Sequence, residues 1–256
     1  MFYLVLPRIG RLLCWFLLPS IMLSVALMLH AGPPPATDLP AAGLPPVDST
    51  KAAQPKAALV FAFQTNLGYC RQWLATNDFK SLGQSVTALS VLTDALGRNV
   101  AESGQEKITS LHHAVDELVA AAKAADAGRA QQAIDALPKA IEAVETAPGL
   151  DHPRPATKTV ASFTPLMHLI DGTFTDAKAA LATGDVTAAK TYAVVLVELA
   201  QWLAADRAGA VWQSQAGDLA AAAQDVASST AIDPKLLRTQ FHDVYACCAA
   251  CHQRQR

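Results

Sequence analysis

Three side chains near the end of the chain have the types and spacing to hold an iron-containing group. The segment Cys248-Ala249-Ala250-Cys251-His252 has the C-x-x-C-H spacing of covalent haem attachment. On a helix, positions i, i+3 and i+4 share one face, so the two thiols could reach the two vinyl groups on one haem edge. The imidazole of His252 would then lie under the ring and ligate the iron. The segment therefore predicts one covalent haem c held by Cys248, Cys251 and His252.

Clustered cysteines can also bind zinc, carry out redox chemistry or form disulfides. A zinc site requires further ligands, and only His242 stands nearby. A thioredoxin-type C-x-x-C pair belongs in a βαβ setting, which the helical pattern here does not offer. Cys247 could compete for a vinyl group, although the periodicity of the helix favours Cys248. A haem-free structural protein whose terminal cysteines form disulfides remains an alternative.

The segment that carries the motif is predicted to be a helix of about residues 234–253. Asp233 is a suitable N-cap, and Pro234 suits the first helical position. Apolar residues then follow at steps of four, three, four and three: Leu237, Phe241, Val244, Cys248 and Cys251. Such a stripe faces a core, so the haem is expected within the end of a helical bundle.

The rest of the chain after residue 56 also has helical periodicity, which predicts an all-α fold. Helices are expected at about 57–76, 79–97, 106–125 and 128–146, and then at about 160–183, 185–205, 209–228 and 234–253. Two tandem up-down four-helix bundles, residues 57–147 and 159–256, are the simplest architecture, with 148–158 as a proline-containing linker. Ala75-Thr76-Asn77-Asp78 matches Ala182-Thr183-Gly184-Asp185, which suggests an internal duplication.

The N-terminal segment, residues 1–32, has the features of an export signal. Arg8 and Arg11 precede an uncharged run from Leu12 to Leu29, just long enough to cross a hydrocarbon core. The positive flank would stay inside, which places the rest of the chain outside the cytoplasmic membrane. An uncleaved anchor is favoured over a cleaved signal peptide, because small residues suited to cleavage are scarce there. Residues 33–56 hold seven prolines and are expected to form an extended linker.

The C-terminal half, about residues 160–256, resembles the class II c-type cytochromes of the cytochrome c-prime type. That family has a four-helix bundle with the haem motif near the end of the last helix. It tends to place an aromatic residue and a small apolar residue before the first haem cysteine, where this chain has Phe241 and Val244. A basic residue tends to follow the histidine by four positions, and here that is Arg256; Gln255 departs from the aromatic residue often found before it.

The resemblance also extends to the first and third helices of that half. Trp212 stands near the start of the third helix, as in the family. Met167 stands seventeen residues before the turn at Gly184, where the family places a methionine or leucine against the distal side of the haem. The resemblance therefore implies haem contacts at Met167, Phe241 and Arg256, and an iron site formed by His252 with Met167. His168 lies about 100° around the helix from Met167 and is a weaker alternative.

The first bundle lacks the motif and is predicted to be free of haem. Val60 occupies the position equivalent to Met167, and Ile141 and Val144 lie where a haem-bearing helix would be. Cys70 lies in its apolar stripe and is expected to be a buried residue. His112 and His113 lie beside and opposite the buried stripe of the third helix, so a ligand role is not expected. A docking or spacer role is the predicted function of this bundle.

These observations favour single-electron transfer on the periplasmic side of a bacterial cytoplasmic membrane. Binding of a small gas such as nitric oxide or carbon monoxide is the main alternative, because family members of both kinds exist. No constellation of nucleophile or acid–base residues is visible, so an enzyme is not predicted. The expected partners are redox proteins, the membrane through the N-terminal helix and, as an option, a second copy in a homodimer. With 20 basic and 22 acidic residues and no basic stripe, nucleic acid is not an expected partner.

Overall fold

A computed structural model describes residues 54–150, 152–155, 163–206 and 210–254. Within these ranges the chain is helical and has no strand, which confirms the all-α prediction. The helices are α1 (Pro55–Ala75), α2 (Phe79–Asn99), α3 (Gln105–Lys123), α4 (Ala127–Glu145), α5 (Phe163–Thr183), α6 (Val186–Asp206), α7 (Ala210–Ser228) and α8 (Pro234–Arg254), with a 3₁₀ turn at Glu102–Gly104. Each helix begins and ends within three residues of its predicted bounds.

The predicted membrane helix and almost all of the predicted proline-rich linker lie outside the described residues, and so does Arg256. Among the helices of the described ranges, none combines the length and the apolar character that a membrane crossing requires.

The turns α1–α2, α3–α4 and α5–α6 share one backbone conformation. A residue with positive φ ends the first helix, and an aspartate follows it and caps the second; these pairs are Asn77 and Asp78, Ala125 and Asp126, and Gly184 and Asp185. The aspartate N–H reaches back to a carbonyl of the preceding helix at 2.8–3.0 Å, as in a Schellman motif. The sequence match indicated only the α1–α2 and α5–α6 turns, which a duplication would make equivalent. The α3–α4 turn has the same conformation at a position that is not equivalent to them. The shared turn conformation is therefore not by itself evidence of duplication.

Ala125 is the least suitable of the three positive-φ residues, with φ of 51°. An alanine in the left-handed region costs roughly 1–2 kcal/mol, whereas glycine adopts it freely. We expect Ala125→Gly to raise the free energy of unfolding by about 0.5–1 kcal/mol, after the greater chain entropy of glycine in the unfolded state is subtracted. Urea denaturation followed by circular dichroism would measure this. Gly184→Ala, with φ of 83°, is the converse control and should destabilise; a loss of stability in Ala125→Gly would contradict the argument.

The helices pack mainly against their neighbours in the chain. In each set of four, α1–α4 and α5–α8, the first helix also contacts the fourth. The two sets meet through α1 against α6 and α2 against α5. They belong to one compact unit with a continuous apolar core. Because α1 packs on α2, α4 and α6, every residue from Ala58 to Phe63 is buried.

The contact between the two sets contains buried polar groups. The Tyr69 hydroxyl of α1 donates to the Asp176 carboxylate of α5 at 2.6 Å. At the other end of the contact, Glu198 of α6 is only 2% exposed and accepts a hydrogen bond from Asn99 Nδ2 of α2 at 3.1 Å. Arg98 lies 3.8 Å from the same carboxylate, and burial raises the pKa of Glu198. The two sets are therefore held together by specific polar contacts as well as by apolar packing.

Candidate functional site

An N-cap and a row of buried apolar residues fix the position of helix α8, which carries the cysteine motif. The Asp233 carboxylate accepts from the Lys235 N–H at 2.9 Å just before Pro234 begins the helix. Further along, Leu237, Phe241 and Val244 are buried among the core residues. This packing sets the rotation of α8, so the stripe continues into the motif, where Cys251 is buried and Cys248 is half-buried.

A groove of about 830 Å³ separates α5 from the end of α8. This volume is within the range of small-molecule and cofactor sites. Its wall is mostly apolar and aromatic and includes both motif cysteines and the motif histidine: Phe163, Thr164, Met167, His168, Ile170, Asp171, Phe174, Thr175, Lys178, Trp212, Tyr245, Cys248, Ala249, Cys251 and His252. The groove exists because α5 and α8 contact each other only sparsely, while both pack closely on α6 or α7.

The three clustered cysteines do not occupy equivalent places. Cys248 and Cys251 line the groove together with His252, whereas Cys247 does not. In addition to burial, the carboxylates of Asp218 of α7 and Asp243 of α8 raise the pKa of Cys247, whereas that of Asp171 of α5 raises the pKa of Cys248. Cys247 therefore lies toward α7 and Cys248 toward α5, the other wall of the groove.

Met167 reaches the groove from α5, opposite the wall formed by α8. It is half-buried, and the adjacent His168, which also lines the groove, is exposed. Near them, the rings of Phe163 and Trp212 meet edge to face with centroids 5.5 Å apart. The sulfur ligand suggested by the resemblance and the motif imidazole thus line one cavity.

Phe241, for which the resemblance implies a haem contact, does not itself line the groove. It is 2% exposed. Its ring centroid is instead 6.1 Å from that of Phe174, which does line the groove. Phe241 therefore supports the groove from behind Phe174.

Tyr245, Asp171 and Lys178 are groove residues that were not singled out from the sequence. Tyr245 stacks on Phe174 with ring centroids 6.0 Å apart. The sequence could have indicated Tyr245, because it lies four residues after Phe241 and three before Cys248. Such spacing places a residue near the same helix face. Asp171 is four residues after Met167 and could have been found in the same way.

All three clustered thiols have a raised pKa. Burial, followed by the nearby Cys247, Cys251 and Asp171, raises the pKa of Cys248 to about 11. Burial also raises the pKa of Cys247 and of Cys251. Reactive redox dithiols depend on a lowered thiol pKa, so this environment is the opposite of the one that such chemistry requires.

The equivalent positions of the first set are filled by core residues. Val60, Ile141 and Val144 are all buried, and Cys70 is fully buried, as expected. His112 pairs with Asp94 at 3.3 Å and His113 is exposed.

The groove residues fit a covalently attached haem. Two thiols and an imidazole line one wall, a thioether lines the other, and aromatic rings provide apolar contact for a flat macrocycle. In the described part of the chain, no group of three or more His, Cys, Asp or Glu side chains is placed to hold a metal ion. No protein-family model, curated protein or solved structure matches this chain.

Proposed function

We propose that the chain is a single-haem c-type cytochrome that transfers electrons outside the cytoplasmic membrane. The observation that carries the proposal is the groove in which Cys248, Cys251 and His252 share one wall and Met167 lines the other. In this proposal the helix sets form two tandem four-helix bundles, and only the C-terminal one holds haem. The N-terminal segment would serve as a membrane anchor or export signal.

Different groove residues would make different contacts with the haem. Cys248 and Cys251 would each hold the haem through a thioether bond, in which the S–H has added across one vinyl C=C bond and nothing leaves. His252 would supply an imidazole nitrogen to the iron. When bound, the haem supplies a reversible ferric–ferrous couple, and its potential depends on axial ligands, burial and hydrogen bonding. Phe163, Phe174 and Trp212 would limit the access of water.

The experiment that tests this function is a pyridine haemochrome assay on exported protein, followed by a redox titration. One c-type haem per chain and a reversible one-electron wave are expected. Exported protein without haem would refute the proposal and favour the structural alternative, in which the terminal cysteines form disulfides.

Binding of a small gas is the second candidate function, and the state of Met167 decides between the two. The thioether belongs to a half-buried side chain on the groove wall opposite α8. Ligation by this sulfur would raise the reduction potential and favour electron transfer, whereas a vacant position would favour binding of nitric oxide or carbon monoxide.

We expect a low-spin ferric spectrum with the weak red charge-transfer band of methionine–iron ligation, and we expect Met167→Ala to abolish that band. Absorption spectroscopy of the two ferric proteins would measure it. His168→Ala is the matched control on the neighbouring groove residue and should keep the band. A high-spin spectrum that Met167→Ala leaves unchanged would remove Met167 from the iron and favour gas binding.

A further inference from the structure

A second cavity of about 480 Å³ lies between the same two helices. It is formed by the last turns of α5 and the middle of α8, farther from the C-terminus than the groove. None of Cys248, Cys251 and His252 lines it. Lys178 and the stacked rings of Phe174 and Tyr245 belong to the walls of both cavities, so the two cavities are adjacent.

The wall of the second cavity is largely apolar and aromatic. Phe174, Phe241 and Tyr245 contribute rings, and Leu181 contributes an aliphatic surface. Phe174 contacts both other rings, with centroids 6.1 Å and 6.0 Å away. Aromatic faces of this kind favour offset or edge contact with another flat ring. The cavity thus suits a small ligand with a flat apolar body.

The charged groups that line this cavity are all basic. Lys178 and Arg238 are cations, His242 adds an imidazole, and none of the lining residues is acidic. The Arg238 guanidinium donates to the Leu181 carbonyl at 3.4 Å. The Lys178 ammonium is 5.7 Å from the centre of the Phe174 ring. Both cations are exposed and lie beside the apolar wall, where a carboxylate would receive charge-assisted hydrogen bonds.

We propose that this second cavity binds a small organic anion with a flat apolar body, such as an aromatic carboxylate. The ring would lie against Phe174 and Tyr245, and the carboxylate would pair with Lys178 and Arg238. The proposal does not depend on the function proposed for the groove.

The test is titration calorimetry of the full exported chain with 2-naphthoate and with its neutral counterpart 2-naphthamide. Naphthoate is expected to bind at one site, and the amide at least about tenfold more weakly, because it lacks the charge that the two cations recognise. Arg238→Gln should weaken naphthoate by about tenfold and leave the amide nearly unchanged. Arg238 is suitable because it lines only the second cavity.

Two further variants locate the ligand. Ala182→Trp, at an exposed position that lines only the second cavity, should block binding by filling the space. Ala179→Trp, at an exposed position of α5 that lines neither cavity, is the matched control and should not alter the affinity. Haem staining should be the same in both, which separates this result from the fate of the haem proposal. Equal affinity for naphthoate and naphthamide, binding that survives Ala182→Trp, or no binding at all would overturn the proposal.

Discussion

Replacement of both Cys248 and Cys251 by alanine is expected to abolish covalent haem completely, whereas Cys247→Ala is expected to retain it. The reason is position, because Cys248 and Cys251 line the groove with His252 and Cys247 does not. Haem staining after denaturing electrophoresis of the exported proteins would measure the outcome, since only a covalently bound group survives denaturation.

The variants control for one another because all of them change cysteines in the same two turns of α8. The single variants Cys248→Ala and Cys251→Ala should each leave one thioether bond and a weaker stain. A weaker stain in Cys247→Ala together with full staining in Cys248→Ala would show that the thiol pair is Cys247 and Cys251, and that a different face of α8 carries the haem.

The second large effect is expected at the contact between the two helix sets, where Asp176→Asn should stabilise the protein above pH 6. Burial raises the pKa of Asp176 to about 6 from the ordinary value of 3.8, although the hydrogen bond from Tyr69 opposes this. The folded state therefore holds the proton more tightly than the unfolded state does. The resulting stabilisation is complete below about pH 4 and is lost as the pH rises through 6.

Asparagine keeps an oxygen that accepts the Tyr69 hydrogen bond but carries no charge to bury. We expect Asp176→Asn to raise the free energy of unfolding by about 2 kcal/mol at pH 7.5 and to have little effect at pH 4. Urea denaturation across this pH range would measure the difference. Asp225→Asn, which changes an exposed carboxylate of α7, is the matched control and should show no such pH dependence.

Tyr69→Phe provides a second check on the same contact. It removes the donor that lowers the pKa of Asp176, so it should destabilise the protein most above pH 6, where the carboxylate is ionised. An equal stability change at pH 4 and at pH 7.5 in both variants would mean that Asp176 titrates as an ordinary carboxylate.

Much of the local structure could be predicted from the sequence, because it depends on near neighbours in the chain. Helix periodicity, the Asp78 and Asp185 caps and the Asp233-Pro234 start are set within a few residues, and the helices lie within three residues of prediction. The shared face of Cys248 and Cys251 follows equally from helix geometry. The use of that face for haem stays a prediction until the cysteine variants are tested.

Tertiary structure alone decided what lies across from each helix face. The contact between the two helix sets brings Tyr69 onto Asp176 and buries Glu198 beside Asn99, although a carboxylate in a helical sequence ordinarily indicates a solvated face. The width of the gap between α5 and α8 likewise places Met167 and Tyr245 in the groove wall and Phe241 behind it. The periodicity of apolar residues in the sequence indicates which residues share a helix face. It does not report the distance to the next helix, because that distance is set by side chains far apart in the chain that pack together only in the folded protein.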